Sequence, residues 1–133
     1  MNIGVVGLGF VGGAVKDYFE LYGDTVYGYD IKSGLGINHE YTRIVKNCEI
    51  IFVCLPTPRS EDDSCDTSIV HDALRRLDFI AEGLSKSPMV LIKSTLVPGT
   101  MRKLVEESSS IRVISNPEFL TERKAAEDYR NSK

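Results

Sequence analysis

"NIGVVGLGFVGGAV" (Asn2–Val15) decides how this chain folds. A short Val/Ile run of strand type leads into Gly7, Gly9 and Gly12, which keep G-x-G-x-x-G spacing, and a helical pattern follows at once. Strand, glycine turn and helix in that order open a βαβ unit that can hold a dinucleotide. Gly7 permits the tight turn, Gly9 lets backbone approach a pyrophosphate, and Gly12 lets helix and strand pack closely. The phosphates would rest on unpaired backbone N–H groups at the positive end of the helix dipole. A tight turn without a ligand would use the same glycines, so the neighbouring segments have to decide.

Four more runs read as strands: "TVYGYD" (Thr25–Asp30), "EIIFVCLP" (Glu49–Pro56), "MVLIKS" (Met89–Ser94) and "IRVIS" (Ile111–Ser115). Most are continuously apolar rather than alternating, as expected of a parallel sheet covered on both faces. Between them lie helical patterns. In "SIVHDALRRLDFIAEGL", Val70, Ala73, Leu74, Leu77, Ile80, Ala81 and Leu84 recur at three- and four-residue spacing and form one stripe. A first helix is expected from about Gly12 to Tyr22, burying Val15, Tyr18 or Phe19, and Tyr22. A further one starts near Thr100, with Thr100 as N-cap and Leu104 and Val105 facing the sheet. The segment after Asp30 is less regular, with one short helix around Tyr41–Lys46. This alternation predicts an α/β, doubly wound parallel sheet of about five strands, one domain over residues 1–133 that stops before the last strand of such a sheet.

The second strand ends in Asp30, about 18 residues beyond Gly12 and near the spacing of about 20 expected of an acid that binds the adenosine ribose. That context turns the glycine pattern into a Rossmann-type dinucleotide site. A carboxylate there accepts hydrogen bonds from ribose hydroxyls but repels a 2′-phosphate, which favours NAD over NADP. Lys32 would soften the repulsion.

Bulk composition narrows the partner. The chain has 133 residues, 42% hydrophobic and 26% charged, with a formal net charge of −3 and no Lys/Arg run. Nucleic acid and anionic membranes call for clustered positive charge, so neither is expected, and a small molecule is. Three cysteines without metal-type spacing and no signal segment before Ile3 suggest a reduced, cytoplasmic protein with no metal. The longest apolar run is far too short to span a bilayer.

Three more stretches fall at the carboxyl ends of successive strands, where open α/β sheets bind ligands: "CLPTP" (Cys54–Pro58), "KSTLVPGT" (Lys93–Thr100) and "NPEFLTER" (Asn116–Arg123). Each couples hydroxyl or charged side chains to prolines that fix the loop. With "GLGFVG", "YD" and "DTSIV" (Asp66–Val70), these motifs resemble, in order and across nearly the whole chain, the UDP-glucose/GDP-mannose dehydrogenase family of nucleotide-sugar 6-dehydrogenases. Members oxidise a sugar C6 alcohol to a carboxylate by two hydride transfers to NAD, through a cysteine-bound thiohemiacetal and thioester. The resemblance implies that Gly7, Gly9, Phe10, Val11 and Gly12 line the pyrophosphate. It puts Asp30 and Lys32 at the ribose, and Thr57 and Thr95 at the nicotinamide half. Glu118 would position or activate the hydrolytic water, with Thr95 helping to hold it, and Glu122 would stand near the nicotinamide and the sugar. A positioned carboxylate base contributes about 10²–10⁴-fold.

Two departures follow from the same resemblance. The family's nucleophilic cysteine, with a lysine and an asparagine, belongs to a central helix and a substrate domain beyond residue 133. Cys48 and Cys54, in or next to a buried strand, and Cys65, in an acidic stretch, are poor substitutes. His39 and His71 read as surface or capping residues. The segment between Asp30 and Glu49 is also shorter than the family's, which lacks room for an extra helix and strand. The chain is therefore expected to bind NAD without turning over a nucleotide sugar by itself, as the cofactor half of such an enzyme: a fragment, a truncated gene product or one part of a split enzyme with a separate C-terminal half. The alternative is a freestanding NAD(H)-binding module with a regulatory or scaffolding role. The Ile111–Ser115 strand is expected to form an exposed edge, with disorder or a homodimer contact near the end.

Overall fold

A computed structural model describes residues 1–30, 37–58, 61, 66–94, 96 and 98–116. Five parallel strands form one sheet: β1 (Asn2–Val6), β2 (Thr25–Tyr29), β3 (Ile50–Val53), β4 (Met89–Ile92) and β5 (Arg112–Ser115), in the order β2-β1-β3-β4-β5. Helices α1 (Phe10–Leu21), α2 (Ile37–Asn47), α3 (Ser68–Gly83) and α4 (Pro98–Glu107) connect them in turn. Each strand is a residue or more shorter than its run: β1 to β4 lose loop residues at their carboxyl ends, and β5 begins after Ile111.

The two faces are covered unequally. On one, α1 packs Ala14, Val15 and Tyr18 against Ile3, Val5 and Phe52. On the other, α2, α3 and α4 bury Tyr41, Ile44, Leu74, Leu77 and Leu104 against Val6, Ile51, Val53 and Ile92. Side chains of successive strand residues therefore feed two cores, which is why β1 and β3 are apolar at nearly every position. The connection from β1 runs to β2 on one side, while β3 joins β1 on the other. The winding of the sheet reverses between β1 and β3, and the crevice at such a switch point is where open α/β sheets bind ligands.

Several expectations are corrected. Helix α1 begins two residues earlier than Gly12, and Tyr22 is its exposed C-cap, 67% accessible. Helix α2 spans Ile37–Asn47 and starts before the short helix expected around Tyr41–Lys46, because Tyr41, Ile44, Val45 and Cys48 share a face that packs on the sheet and α3. Glu40 in its first turn and Lys46 in its last complement the helix dipole. Helix α4 starts at Pro98, whose missing N–H costs nothing in a first turn, so Thr100 is inside the helix and is not its N-cap. Leu104 is buried but Val105 is 48% exposed, since neighbours on a helix diverge by about 100° and Met101 supplies the second contact. In α3, Ile80 is only partly buried and Leu84 is the half-exposed C-cap. Among the described residues β5 is an edge strand, with Ile114 42% exposed, as anticipated. Among them, too, no helix is long and apolar enough to cross a membrane.

Candidate functional site

The turn after β1 is fixed by three strand ends. Gly7 takes φ of +93°, a left-handed conformation that side chains disfavour, and its N–H donates to the Tyr29 carbonyl at 2.7 Å. A Cβ on Gly7 would lie 2.6 Å from the carbonyl oxygen of Cys54. The Cys54 N–H in turn donates to the Val6 carbonyl at 2.8 Å, so β2, β1 and β3 all meet at this turn.

Gly9 then caps α1 through backbone alone: the Gly13 N–H donates to its carbonyl at 2.8 Å, and no side chain caps the helix. The first turn carries no acidic residue. Its N–H groups and the positive helix end therefore face outward without a carboxylate of their own helix to neutralise them. Among the described residues a Cβ at Gly9 would meet nothing within 4 Å, which is the open approach a pyrophosphate requires. Gly12 has the opposite surroundings. A Cβ there would sit 1.7 Å from the Gly7 carbonyl oxygen, so Gly12 serves the packing of turn and helix rather than the surface of the cleft.

Asp30 follows β2 and faces this turn. The Leu8 N–H donates to its Oδ1 at 3.5 Å, a long contact that leaves most of the carboxylate's accepting capacity for a ligand. Gly7, Gly9, Phe10, Val11 and Asp30 all line one cleft of about 850 Å³ at the carboxyl ends of β1, β3 and β4. That size suits a dinucleotide-scale ligand. The residues present thus fit NAD: an open, positively polarised helix end for the pyrophosphate and a carboxylate beside it for the ribose.

Of the other expected site residues, Thr57 is half-buried next to Pro56, which lines the cleft, but does not line it itself. Lys32, Thr95, Glu118 and Glu122 lie outside the described residues. The far wall, which sequence reading left without roles, comes from Ile69, Asp72 and Ala73 of α3 and from Lys93 and Ser94 after β4. Ile69, Asp72 and Ala73 stand at i, i+3 and i+4, one face of a helix, so the periodicity that marked the buried stripe also contained this one. Ser94 Oγ donates to the Leu55 carbonyl at 2.5 Å and ties the β4 loop to the β3 loop. The floor on the α2 side is Tyr29 against Tyr41, edge to face with centroids 5.4 Å apart. Tyr41 was expected in a short helix with no link to the site.

Cys54 lies just past β3, not within it, and is partly exposed in the cleft. Burial still pushes its thiol up to about 12, against the opposing charge of Lys93, so thiolate is scarce at neutral pH. Burial does the same to Cys48, also to about 12. Cys65 lies outside the described residues. His39 is exposed, and His71 Nδ1 is 3.7 Å from Glu107 Oε2. Among the described residues no group of three or more His, Cys, Asp or Glu is placed to hold a metal ion.

Residues 32–133 match the UDP-glucose/GDP-mannose dehydrogenase family, NAD binding domain. The chain belongs to that family. UDP-glucose 6-dehydrogenase of Rickettsia felis is 34% identical over 93 residues, covering 67% of this chain and 20% of that protein. GDP-mannose 6-dehydrogenase of Pseudomonas aeruginosa is 24% identical, covering 97% of this chain and 38% of that protein. Among solved structures, a UDP-glucose dehydrogenase from the archaeon Pyrobaculum islandicum superposes with a TM-score of 0.80 at 27% identity, over 96% of this chain and 38% of that one. A ternary complex of the Pseudomonas aeruginosa GDP-mannose dehydrogenase gives a TM-score of 0.82 at 23% identity, over 97% of this chain and 38% of that one, which shows the shared fold. The chain spans well under half the length of these relatives. The family match begins at residue 32, past the glycine turn and Asp30.

Proposed function

We propose that this chain is the NAD-binding part of a nucleotide-sugar 6-dehydrogenase, which oxidises the C6 alcohol of a UDP- or GDP-linked sugar to a carboxylate. The observation that carries this reading is the convergence of the open Gly9 turn, the uncapped α1 end and Asp30 on one cleft, in a member of this family. Gly7, Gly9, Phe10, Val11 and Gly12 shape the pyrophosphate seat, and Asp30 with Lys32 holds the adenosine ribose. Thr57 and Thr95 flank the nicotinamide half. When bound, NAD supplies the hydride acceptor. The chain's own residues orient it across the carboxyl edge of the sheet and keep the ring end over the β3 and β4 loops.

In the same proposal, Glu118 accepts a proton from the hydrolytic water, Thr95 holds that water, and Glu122 stands beside the reacting sugar carbon. Sugar recognition and the nucleophilic cysteine come from the substrate-binding part that full-length relatives carry. The same reading puts the protein in the cytoplasm and gives β5, an edge strand, as the contact for a second chain or copy.

Isothermal titration of NAD into the 133-residue chain tests this. Micromolar NAD binding that is lost in Gly9→Val supports the assignment. Absence of NAD binding by the unaltered chain overturns it. Oxidation of UDP-glucose or GDP-mannose by these 133 residues alone would overturn the assignment of the nucleophile to another segment.

A further inference from the structure

Among the described residues that line the cleft, Lys93 is the one cation, set against the carboxylates of Asp30 and Asp72. Lysine is seldom taken so far out of water: Lys93 is 3% exposed, and the end of β4 holds it in place. Its N–H donates to the Val53 carbonyl at 2.9 Å, and its Nζ stands 5.9 Å from the centroid of the Phe52 ring. The next residue, Ser94, is tied to the Leu55 carbonyl. The ammonium is therefore carried on the joined β3 and β4 loops, in a wall of the cleft shared with Cys54 and Leu55.

The opposite end of the cleft settles what this charge meets. Asp30 follows β2, and the open Gly9 turn follows β1. A dinucleotide with its adenosine ribose at Asp30 and its pyrophosphate at Gly9 continues in the strand order β2-β1-β3-β4, so its nicotinamide half comes to the loops that carry Lys93. That ring is cationic in NAD and neutral in NADH, because the incoming hydride brings the electron pair that cancels its charge. A fixed positive charge nearby raises the free energy of the oxidised form more than that of the reduced form. We propose that Lys93 makes the bound cofactor a stronger hydride acceptor by disfavouring the cationic ring. The inference rests on the cofactor assignment above and adds a residue that tunes the chemistry of the same site. Replacing Lys93 by a neutral residue removes one positive charge whatever else its ammonium contacts, so the expected change keeps its sign.

The test compares NAD, NADH and ADP-ribose by titration calorimetry in the 133-residue chain and in its Lys93→Met and Lys93→Arg variants, with a thermal melt of each. The unaltered chain is expected to bind NADH about tenfold more tightly than NAD, as one buried charge at that end implies. Lys93→Met should bring the two affinities close together, and Lys93→Arg should keep most of the difference. ADP-ribose, which lacks the nicotinamide ring, should bind all three proteins alike. A ratio of NADH to NAD affinity unchanged by Lys93→Met, with ADP-ribose still bound, overturns this inference alone. Equal weakening of NAD, NADH and ADP-ribose in Lys93→Met also overturns it, because the charge would then serve the pyrophosphate. Equal affinities for NAD and NADH in the unaltered chain overturn it even where Lys93→Met fails to fold. No binding of NAD by the unaltered chain overturns the cofactor assignment and this inference with it.

Discussion

Gly12 stands so close over Gly7 that a Cβ on it would lie 1.7 Å from the Gly7 carbonyl oxygen, whereas a Cβ on Gly9 would meet nothing within 4 Å among the described residues. Two glycines of one motif therefore do different jobs, and substitution should separate them. Gly12→Ala has no way to relieve a clash with backbone except by moving α1 off β1, so it is expected to cost at least ~3 kcal/mol and to lower the melting temperature sharply. Gly9→Ala should fold as the unaltered chain does and lose NAD affinity instead. Paired thermal melts and NAD titrations check this; equal melting losses in the two variants would show that the motif is structural throughout.

Among the described residues Asp30 accepts one long hydrogen bond, from the Leu8 N–H at 3.5 Å, so its removal should affect a ligand more than the fold. Losing hydrogen bonds to a charged acceptor costs about 1.5–3 kcal/mol. Asp30→Ala should accordingly weaken NAD binding roughly 10- to 100-fold while the melting temperature shifts by only a few degrees. Retention of full affinity in that variant would remove Asp30 from the ribose.

Much of this was legible in the sequence, for reasons that differ by element. The glycine turn and Asp30 could be read because backbone conformation at Gly7 and a strand-end acid at fixed spacing leave few alternatives. The five strands could be read because burial on both faces makes them uniformly apolar. Helix α2 was read only in part, as a short helix around Tyr41–Lys46, since "INHEYTRIVKN" has few apolar residues and their common face becomes evident only with the sheet and α3 beneath it. Val105 and Tyr22 were misplaced for a related reason: apolar residues at a helix's margin look like core until the neighbouring elements are positioned. Lys93 fell inside a stretch singled out at the carboxyl end of β4, but Asp72 remained without a role because the stripe of α3 that meets the cleft shows only once the sheet is in place. The expectations for Thr95, Glu118 and Glu122 fall outside the described residues.

Asp78 is the main polar anchor of β5. Its Oδ1 accepts from the N–H groups of Ser110 at 2.7 Å and of Ser109 and Ile111 at 3.1 Å, and its Oδ2 accepts from Ser109 Oγ at 3.3 Å. One carboxylate on α3 thus satisfies three consecutive backbone donors where α4 hands over to the strand. Asp78→Ala leaves those donors to water or to nothing, and is expected to cost about 2–3 kcal/mol, read as a lower urea midpoint with an unchanged slope. Asp78→Asn keeps an acceptor in place and should cost less. A midpoint unmoved by Asp78→Ala would mean that the turn holds itself.

Cys48 should make stability fall at alkaline pH. It is 5% exposed at the end of α2, and burial raises its thiol from about 9 to about 12, with Arg43 opposing. The neutral thiol is the form the fold prefers, so the unfolded chain releases its proton first. The contribution is fully present below pH of about 9 and is lost as pH rises toward 12, with a slope of at most ~1.4 kcal/mol per pH unit from this thiol. Cys54 and the Tyr41 phenol, also raised by burial, bend the curve in the same direction and are common to wild type and variant. Cys48→Ala should therefore be somewhat less stable at pH 7, from the lost packing, yet lose stability more slowly above pH of about 9. Urea titrations of both proteins across that range should converge. Curves that stay parallel would show that the Cys48 thiol ionises as freely folded as unfolded, and that α2 does not seal this side of the sheet.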